Sequence, residues 1–443
     1  MSLQFITGNS GNGKTKYLFN RIVKEAKANP RDNYLVIVPE QFTMQTQRQL
    51  VDLSENKAIM NIDVLSFKRL AYRVFDELGI TNLTVLEETG KNLVLRKLAA
   101  QEADKLGVIG RNLNRIGYIS EVKSLLSELV QYNISPEELG RYIASGRLSD
   151  TLSDKLKDVL VLYEAFEKFM QDKYITAEEI LNVLSNVAEE SAILRNSVIA
   201  FDEFTGFTPI QNQLIKKLFV ISKKIYVTLT IDCREDIFKS RGMQELFDMP
   251  KRTVKSLTEM AAFYGIEVEE PIILDKNYRL AENEELSFME QQLFRKRRSS
   301  FKKEPKHIHI DCLRDPKQEL TKIARRINEL VRNENLRYRD IAIVTGDVNI
   351  YAGYVREIFD KYNIPYFIDA TQEILFHPFI EFIRSIPDIA AQNFSADAVF
   401  RFLRCGFSEL LDSEIDVLEN YVLACGVRGI SAWDIKFGRL WYY

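Results

Sequence analysis

Several things are scarce in this chain, and each scarcity narrows what it can be. Its four cysteines, Cys233, Cys312, Cys405 and Cys425, lie far apart with no C-x-x-C pair. That spacing excludes a disulfide framework and a local metal knuckle, so the cysteines read as buried small hydrophobes. There are only three histidines, and two of them, His307 and His309, alternate with isoleucine in "KHIHI" as residues of a strand do, rather than as metal ligands. No apolar run approaches the length of a membrane span, and "MSLQFITG" lacks the charged and apolar segments of a signal peptide. The expectation is a soluble cytoplasmic protein with no membrane contact. Positive charge is not in excess either. At a formal net charge of −3 there is no overall basic field, so any contact with nucleic acid must come from local patches. What remains is an ordinary globular composition, 46% hydrophobic and 28% charged over 443 residues, which is too long for one core and suggests two to four domains.

The stretch "ITGNSGNGKTKYLFNRIV" carries Gly8, Gly13, Lys14 and Thr15 in the order G-x-x-x-x-G-K-T. Such a loop turns backbone N–H groups inward around phosphates, while its lysine reaches the β and γ oxygens and its threonine can ligate Mg²⁺. Leu3, Phe5 and Ile6 read as a short buried strand before it. Tyr17, Leu18, Arg21, Ile22 and Ala26 fall at helical spacing after it, which sets the phosphates on a helix N-terminus. Gly8, Asn9, Ser10, Gly11, Asn12, Gly13, Lys14 and Thr15 are therefore the candidate nucleotide-binding residues, in preference to a plain glycine turn.

"NYLVIVPEQF" reads as a buried parallel strand, "TMQTQRQLVDL" as a helix, "MNIDVLSF" as a third strand and "FKRLAYRVFDEL" as another amphipathic helix. From about Leu83 to Asn196 the pattern becomes helical with no strand; Leu156, Leu160, Tyr163, Phe166 and Met170 form one stripe at steps of three and four. Strand patterns return in "SVIAFDE" and "KKIYVTLTID". After Arg279 a densely charged stretch reads as a helix running into a linker, and "HIHIDCL", "DIAIVTG" and "PYFIDA" then alternate with helical segments as in a second α/β domain. The tail from His377 is helical and stops at "LWYY" with no capping or polar terminus, as if cut from a longer protein.

A second motif is "VIAFDEFTGFTPIQNQ", in which an apolar strand ends in Asp202 and Glu203. Ligands of open α/β sheets sit at the C-terminal ends of strands. A P-loop needs one carboxylate to hold Mg²⁺ through water and another to orient the attacking water. A D-E pair alone also suits an exposed strand end; the strand before it and the P-loop upstream favour a Walker B pair, with Thr15 and Asp202 as the Mg²⁺ residues.

Asp202, Glu203 and Phe204 followed by Gln211 resemble motif II of the UvrD/RecB helicase superfamily. "VLSFKRLAYRVF" resembles motif Ic, "LDKNYRL" motif IV, and "RYRDIAIVTGDVNIYAGYVREIFDKYNIPYFID" the opening of the second motor domain. With "VPEQFT" in the place of motif Ia and "TIDCRED" in the place of motif III, the combination is similar to the AddB (RexB) family, the B subunits of the bacterial ATP-dependent helicase/deoxyribonuclease. The resemblance spans the chain. It implies a P-loop RecA-like parallel-sheet domain (1–84 and 197–280), an all-helical insertion (85–196), a linker (281–305), a second α/β RecA-like domain (306–376) and the start of a helical 2B-like region (377–443). It also implies ATP and Mg²⁺ as cofactors and an AddA-type motor subunit as partner in a heterodimer. Double-stranded DNA ends and single-stranded DNA are the implied substrates, with resection and a response to Chi as the activity. Arg279 matches the motif IV arginine that contacts the γ-phosphate, although so short a triplet also arises on surfaces by coincidence. The motif III glutamine that senses the γ-phosphate has no counterpart among Asp232, Cys233 and Arg234, so nucleotide binding transfers and motor action does not. Motifs V and VI, the nuclease carboxylates and the four cysteine ligands of a 4Fe–4S cluster would lie beyond Tyr443. Two other readings compete, an active monomeric UvrD-like translocase and a P-loop ATPase scaffold without DNA. "FRKRRSSFKK", residues 294–303, reads as a solvated linker in preference to a phosphate-tracking strip.

Overall fold

The computed structural model describes residues 1–81, 84–108, 110, 117–146, 148–171, 174–295, 299–370, 374 and 377–433. The chain divides into two compact units, Met1–His309 and Ile310–Tyr443.

The first unit is built on a parallel sheet. Its strands are β1 (Ser2–Gly8), β2 (Tyr34–Ile37) and β3 (Ile62–Leu65), with helices α1 (Lys14–Ala28) and α2 (Thr43–Leu53) between them and α3 (Phe67–Leu78) after β3. A short strand, β4 (Val85–Leu86), leads into α4 (Glu88–Gln101), α5 (Tyr118–Gln131), α6 (Pro136–Ala144) and α7 (Asp150–Met170), and β5 (Ile175–Thr176) and α8 (Ile180–Val187) follow. The sheet resumes with β6 (Val198–Phe201), α9 (Pro209–Ile221), β7 (Lys224–Thr230), α10 (Asp248–Phe263), β8 (Glu267–Val268) and β9 (Ile272–Leu274), and α11 (Glu284–Gln292) closes the unit. Strand order is β3-β2-β6-β7-β1-β8, with β9 also on β1, and every pairing is parallel.

Because both faces are covered, the strands are apolar on both sides. Leu3, Leu35, Ile199 and Val227 pack with α3, α8, α9 and α10, while Ile6, Val36, Ala200 and Tyr226 pack with α1 and α2. That is why "YLVI" and "VIAF" are continuous apolar runs rather than alternating ones, while β1 carries one buried polar residue, Gln4. The crossovers leave the ends of β1, β6 and β7 on one edge, with β7 between the other two.

Helix starts are set locally. Ser66 caps α3, and α9 opens with a capping box in which Thr208 accepts from the Gln211 N–H and the Gln211 side chain accepts from the Thr208 N–H. Gln211, placed by resemblance in motif II, thus has a structural use.

The helical insertion has its own core, from Leu95 through Leu126 and Leu162 to Met170. Of the expected stripe, Tyr163, Phe166 and Met170 are buried in it, and Leu156 and Leu160 pack half-buried against it. Two differences from the sequence reading stand out. The stretch is not all-helical, because β4 and β5 form a parallel two-stranded pair. The helix α8 packs Ile180 and Leu184 into the sheet's core rather than the insertion's. Two-residue strands carry too little pattern to read, and the side a helix packs against is a tertiary choice.

The second unit has α12 (Pro316–Asn333), α13 (Val348–Lys361), α14 (Pro378–Ala391), α15 (Ala396–Leu403), α16 (Asp412–Cys425) and α17 (Ile430–Trp433). Leu320, Ala324 and Ile327 of α12 pack on Ile358 and Phe359 of α13. The strands expected at "HIHIDCL", "DIAIVTG" and "PYFIDA" are not formed: no ladder occurs among the described residues there, and Ile310, Val344 and Phe367 are 93%, 93% and 88% exposed. An alternating pattern makes a segment fit for a sheet, but only a hydrogen-bonding neighbour makes it a strand. The helical tail is as expected as far as residue 433; "LWYY" lies outside the described residues, as does part of "FRKRRSSFKK". The cysteines are free but not buried, with Cys312 exposed and the other three half-buried.

Candidate nucleotide site

All the site residues named from the sequence lie in the first unit, at the edge where β1, β6 and β7 end. The strand β1 is fully paired with β7 as far as Gly8, which fixes the start of the loop. Two glycines are required by close approach. A Cβ on Gly8 would stand 2.5 Å from the Leu274 carbonyl oxygen, and one on Gly11 (φ +88°) would stand 2.8 Å from both the Arg279 Cβ and the Asn277 Oδ1. Gly13, left-handed, caps α1, whose first turn holds no acidic side chain, so its leading N–H groups suit an anion.

Ser10, Gly11, Gly13, Lys14 and Thr15 line a cavity of about 700 Å³ together with Asp202, Glu203, Tyr278 and Arg279. Lys14 folds back over the loop, its Nζ donating to the carbonyls of Gly8 and Asn9 at 3.1 Å each. Burial lowers its pKa, while the carboxylates of Glu203 and Asp202 pull the other way. The Thr15 hydroxyl donates to Glu203 at 3.3 Å. Glu203 itself has φ +63°, a left-handed backbone that costs a non-glycine residue about 1 kcal/mol and recurs at functional sites.

Asp202 is 1% exposed. Its Oδ1 accepts from the Thr228 hydroxyl, and its Oδ2 is buried with no hydrogen-bond partner among the described residues. Burial raises its pKa, with Thr228 opposing and Glu203 adding to the rise. A buried carboxylate oxygen with an open valence, beside a threonine hydroxyl and a second carboxylate, is a donor set that suits a hard divalent cation.

Asn277, Tyr278 and Arg279 are sewn onto the loop. The Tyr278 N–H donates to the Gly11 carbonyl at 3.0 Å, the Asn277 side chain to the Ser10 carbonyl at 3.0 Å, and Arg279 Nη1 to the Ser10 hydroxyl at 3.3 Å. Arg279 is thus brought to the loop. Asn9 and Asn12 are used differently from the rest: Asn12 donates to the Leu274 carbonyl at 2.6 Å and Asn9 to Glu290 at 2.6 Å, so their side chains anchor the loop rather than line the cavity.

At "TIDCRED" the buried Asp232 is gripped by Arg234 (Nε–Oδ1 2.9 Å, Nη2–Oδ2 2.6 Å) and by Arg295 (Nη2–Oδ2 2.9 Å). Burial alone would raise its pKa, but the Arg234 hydrogen bonds and charge, with Arg295, bring it below the usual carboxylate range. This is an ion cluster, and it offers no free amide. Sequence reasoning missed Thr228, Tyr278, Gln49 and Asp52 on the cavity wall and Glu290 behind the loop. For Thr228 a signal existed, since threonine interrupts the apolar run of "YVTLT" where β7 passes between the P-loop strand and the carboxylate strand.

Residues 5–290 match the family model described as "ADDB, N-terminal". The chain belongs to the AddB family. It is 39% identical over 444 residues to the B subunit of the ATP-dependent helicase/deoxyribonuclease of Lachnoclostridium phytofermentans, a match covering 99% of this chain and 39% of that protein. The protein of the same name from Clostridium tetani is 34% identical, covering 98% and 39%, and that from Caldanaerobacter subterraneus 35% identical, covering 97% and 37%. The chain therefore spans about two fifths of the length of these AddB relatives. The matched span contains residues 8–15, the Asp202–Glu203 pair and Arg279, so the whole candidate site falls within it. No helix among the described residues is long and apolar enough to cross a membrane.

Proposed function

We propose that this chain is the N-terminal, helicase-like portion of an AddB-type subunit, which binds ATP with Mg²⁺ and is not itself the motor. It works in the cytoplasm in a heterodimer with an AddA-type motor subunit, on double-stranded DNA ends and the single strands drawn from them, and responds to Chi during resection. In this reading residues 1–84 and 197–280 are a RecA-like domain 1A, 85–196 the insertion 1B, 281–305 a linker, 306–376 domain 2A and 377–443 the start of a 2B-like region. The deoxyribonuclease named in the relatives, and a 4Fe–4S cluster, belong to the part of such subunits outside the matched two fifths.

The observation that supports this best is the convergence on one cavity of Lys14, Thr15, Asp202, Glu203 and Arg279, with an open valence on Asp202 Oδ2. Lys14 releases the Gly8 and Asn9 carbonyls to clamp phosphate oxygens, and the α1 N–H groups receive them. Thr15 and Asp202 hold Mg²⁺, which when bound neutralises phosphate charge. Glu203 orients water and Arg279 reaches the terminal phosphate. At "TIDCRED", the segment that resemblance puts in the place of motif III, Asp232 pairs with Arg234 and Arg295 and no glutamine is present, which favours holding over driving. The test is titration of the chain with a fluorescent ATP analogue (mant-ATP). Binding is expected with Mg²⁺ and expected to fall at least tenfold in EDTA or in Lys14→Ala; binding unaffected by Lys14→Ala places the nucleotide elsewhere.

A further inference from the structure

We infer that Glu290 is a positioning residue for the nucleotide loop, and that through it the helix α11 is mechanically joined to the site. The inference rests on the reading that the loop binds nucleotide, and it goes beyond it. Its centre is Asn9, a buried residue with both ends of its side-chain amide committed. The Asn9 Oδ1 accepts from the Cys233 N–H at 2.9 Å, and the Asn9 Nδ2 donates to Glu290 Oε1 at 2.6 Å across 281 residues of sequence. The main-chain carbonyl of the same residue accepts from the Lys14 ammonium at 3.1 Å. In the nucleotide-free loop one residue therefore holds Lys14 on its backbone carbonyl, and is itself held by a carboxylate on α11.

The carboxylate is held in turn. Glu290 lies 3.9 Å from Arg295 Nη2, and that guanidinium pairs with Asp232 at 2.9 Å. Arg295 Nε and Nη1 are buried with no partner among the described residues, so this guanidinium has donors in reserve for a carboxylate that shifts towards it. Asn9 is thus the point where the P-loop, the segment after β7 and α11 meet. A phosphate cradle tolerates about 0.5 Å of misplacement. A charge-assisted bond of 2.6 Å behind its second residue is the kind of support that sets such a tolerance. By reciprocity, a nucleotide that tightens the loop must tighten α11 as well. The occupancy of the site is then felt at 284–292, a route that does not need a motif III glutamine.

A donor–acceptor exchange tests this. Asn9→Asp keeps the acceptor for the Cys233 N–H but sets two carboxylates face to face. Adding Glu290→Gln restores one donor and one acceptor across the gap with the roles reversed. With mant-ATP and Mg²⁺, Asn9→Asp is expected to weaken affinity at least tenfold, and Asn9→Asp/Glu290→Gln to return it to within threefold of wild type. Hydrogen exchange of residues 284–292 should slow on nucleotide addition in wild type and in the double variant but not in Asn9→Asp. Three outcomes overturn the inference: wild-type affinity in Asn9→Asp, losses in the double variant equal to or worse than the single, or exchange at α11 indifferent to nucleotide. If wild-type protein fails to bind mant-ATP, the nucleotide reading falls as well. If wild type binds and the exchange gives no rescue, only the role of Glu290 falls.

Discussion

Replacing Asp202 by asparagine should make the nucleotide-free protein more stable and its Mg²⁺·ATP complex weaker. The carboxylate is 1% exposed, one oxygen accepts from Thr228, and the other has no partner among the described residues. A buried acceptor left unpaired costs about 1–3 kcal/mol, and more when it is charged. Asparagine keeps an oxygen for Thr228 and puts a neutral amide in the orphan position, which desolvates at lower cost. Some attraction to Lys14 is lost, but Glu203 still supplies part of it. The net expected gain is about 1 kcal/mol, a rise in Tm of a few degrees at most for a unit of this size. The pH dependence has a definite sign. Burial raises the Asp202 pKa above its unfolded value, so the folded state holds its proton more tightly. That contribution to stability is full below the unfolded carboxylate pKa and is lost as pH rises through the folded one. The advantage of Asp202→Asn over wild type should therefore be largest at neutral pH and shrink as pH falls towards 4. The assay is scanning calorimetry of both proteins in EDTA between pH 4.5 and 7.5, repeated with Mg²⁺·ATP, where wild type should gain stability by mass action and the variant should gain much less. A lower Tm for nucleotide-free Asp202→Asn at pH 7, or an equal gain from Mg²⁺·ATP in both proteins, refutes the reasoning.

Three further outcomes are expected. In a heterodimer with the proposed AddA-type motor subunit, Lys14→Ala in this chain should leave unwinding, followed by stopped-flow release of a fluorescent strand, near the wild-type rate; a tenfold slowing, about 1.4 kcal/mol in the barrier, would show that this loop does drive the machine. On the reading that the deoxyribonuclease of such subunits lies outside the matched two fifths, residues 1–443 should release no labelled nucleotides from DNA with Mg²⁺ or Mn²⁺; cutting abolished by Asp202→Ala would contradict that. Gly11→Ala, which brings a Cβ to 2.8 Å from Arg279 and Asn277 at φ +88°, should cost about 2 kcal/mol by chemical denaturation and weaken mant-ATP binding, and an unchanged midpoint would show that the Asn277–Arg279 segment yields freely.

Much of this protein was legible in its residues because the relevant physics is local. The strand, glycine loop and helix of residues 2–28 could be read from the sequence, since the glycines fall where the chain turns between an apolar strand and an amphipathic helix. Apolar residues announced β1, β2 and β6 as strands, and the helix α3 begins and ends where its amphipathic pattern does. What the sequence could not supply were relations between distant segments. That Thr228 meets Asp202 follows from β7 lying beside β6, and that Asn9 spends its side chain on Glu290 follows from where α11 packs; no local pattern encodes either. The same limit produced the misreadings. "DIAIVTG" has the alternation of a strand, but a strand exists only when a neighbour accepts its hydrogen bonds, and α8 looks like part of the insertion until its apolar face is seen against the sheet. Sequence by itself determined which segments could be helix, strand or phosphate loop, because those choices depend on residues a few positions apart. Tertiary structure alone decided which carboxylate meets which lysine, because that depends on the path of the chain across the sheet.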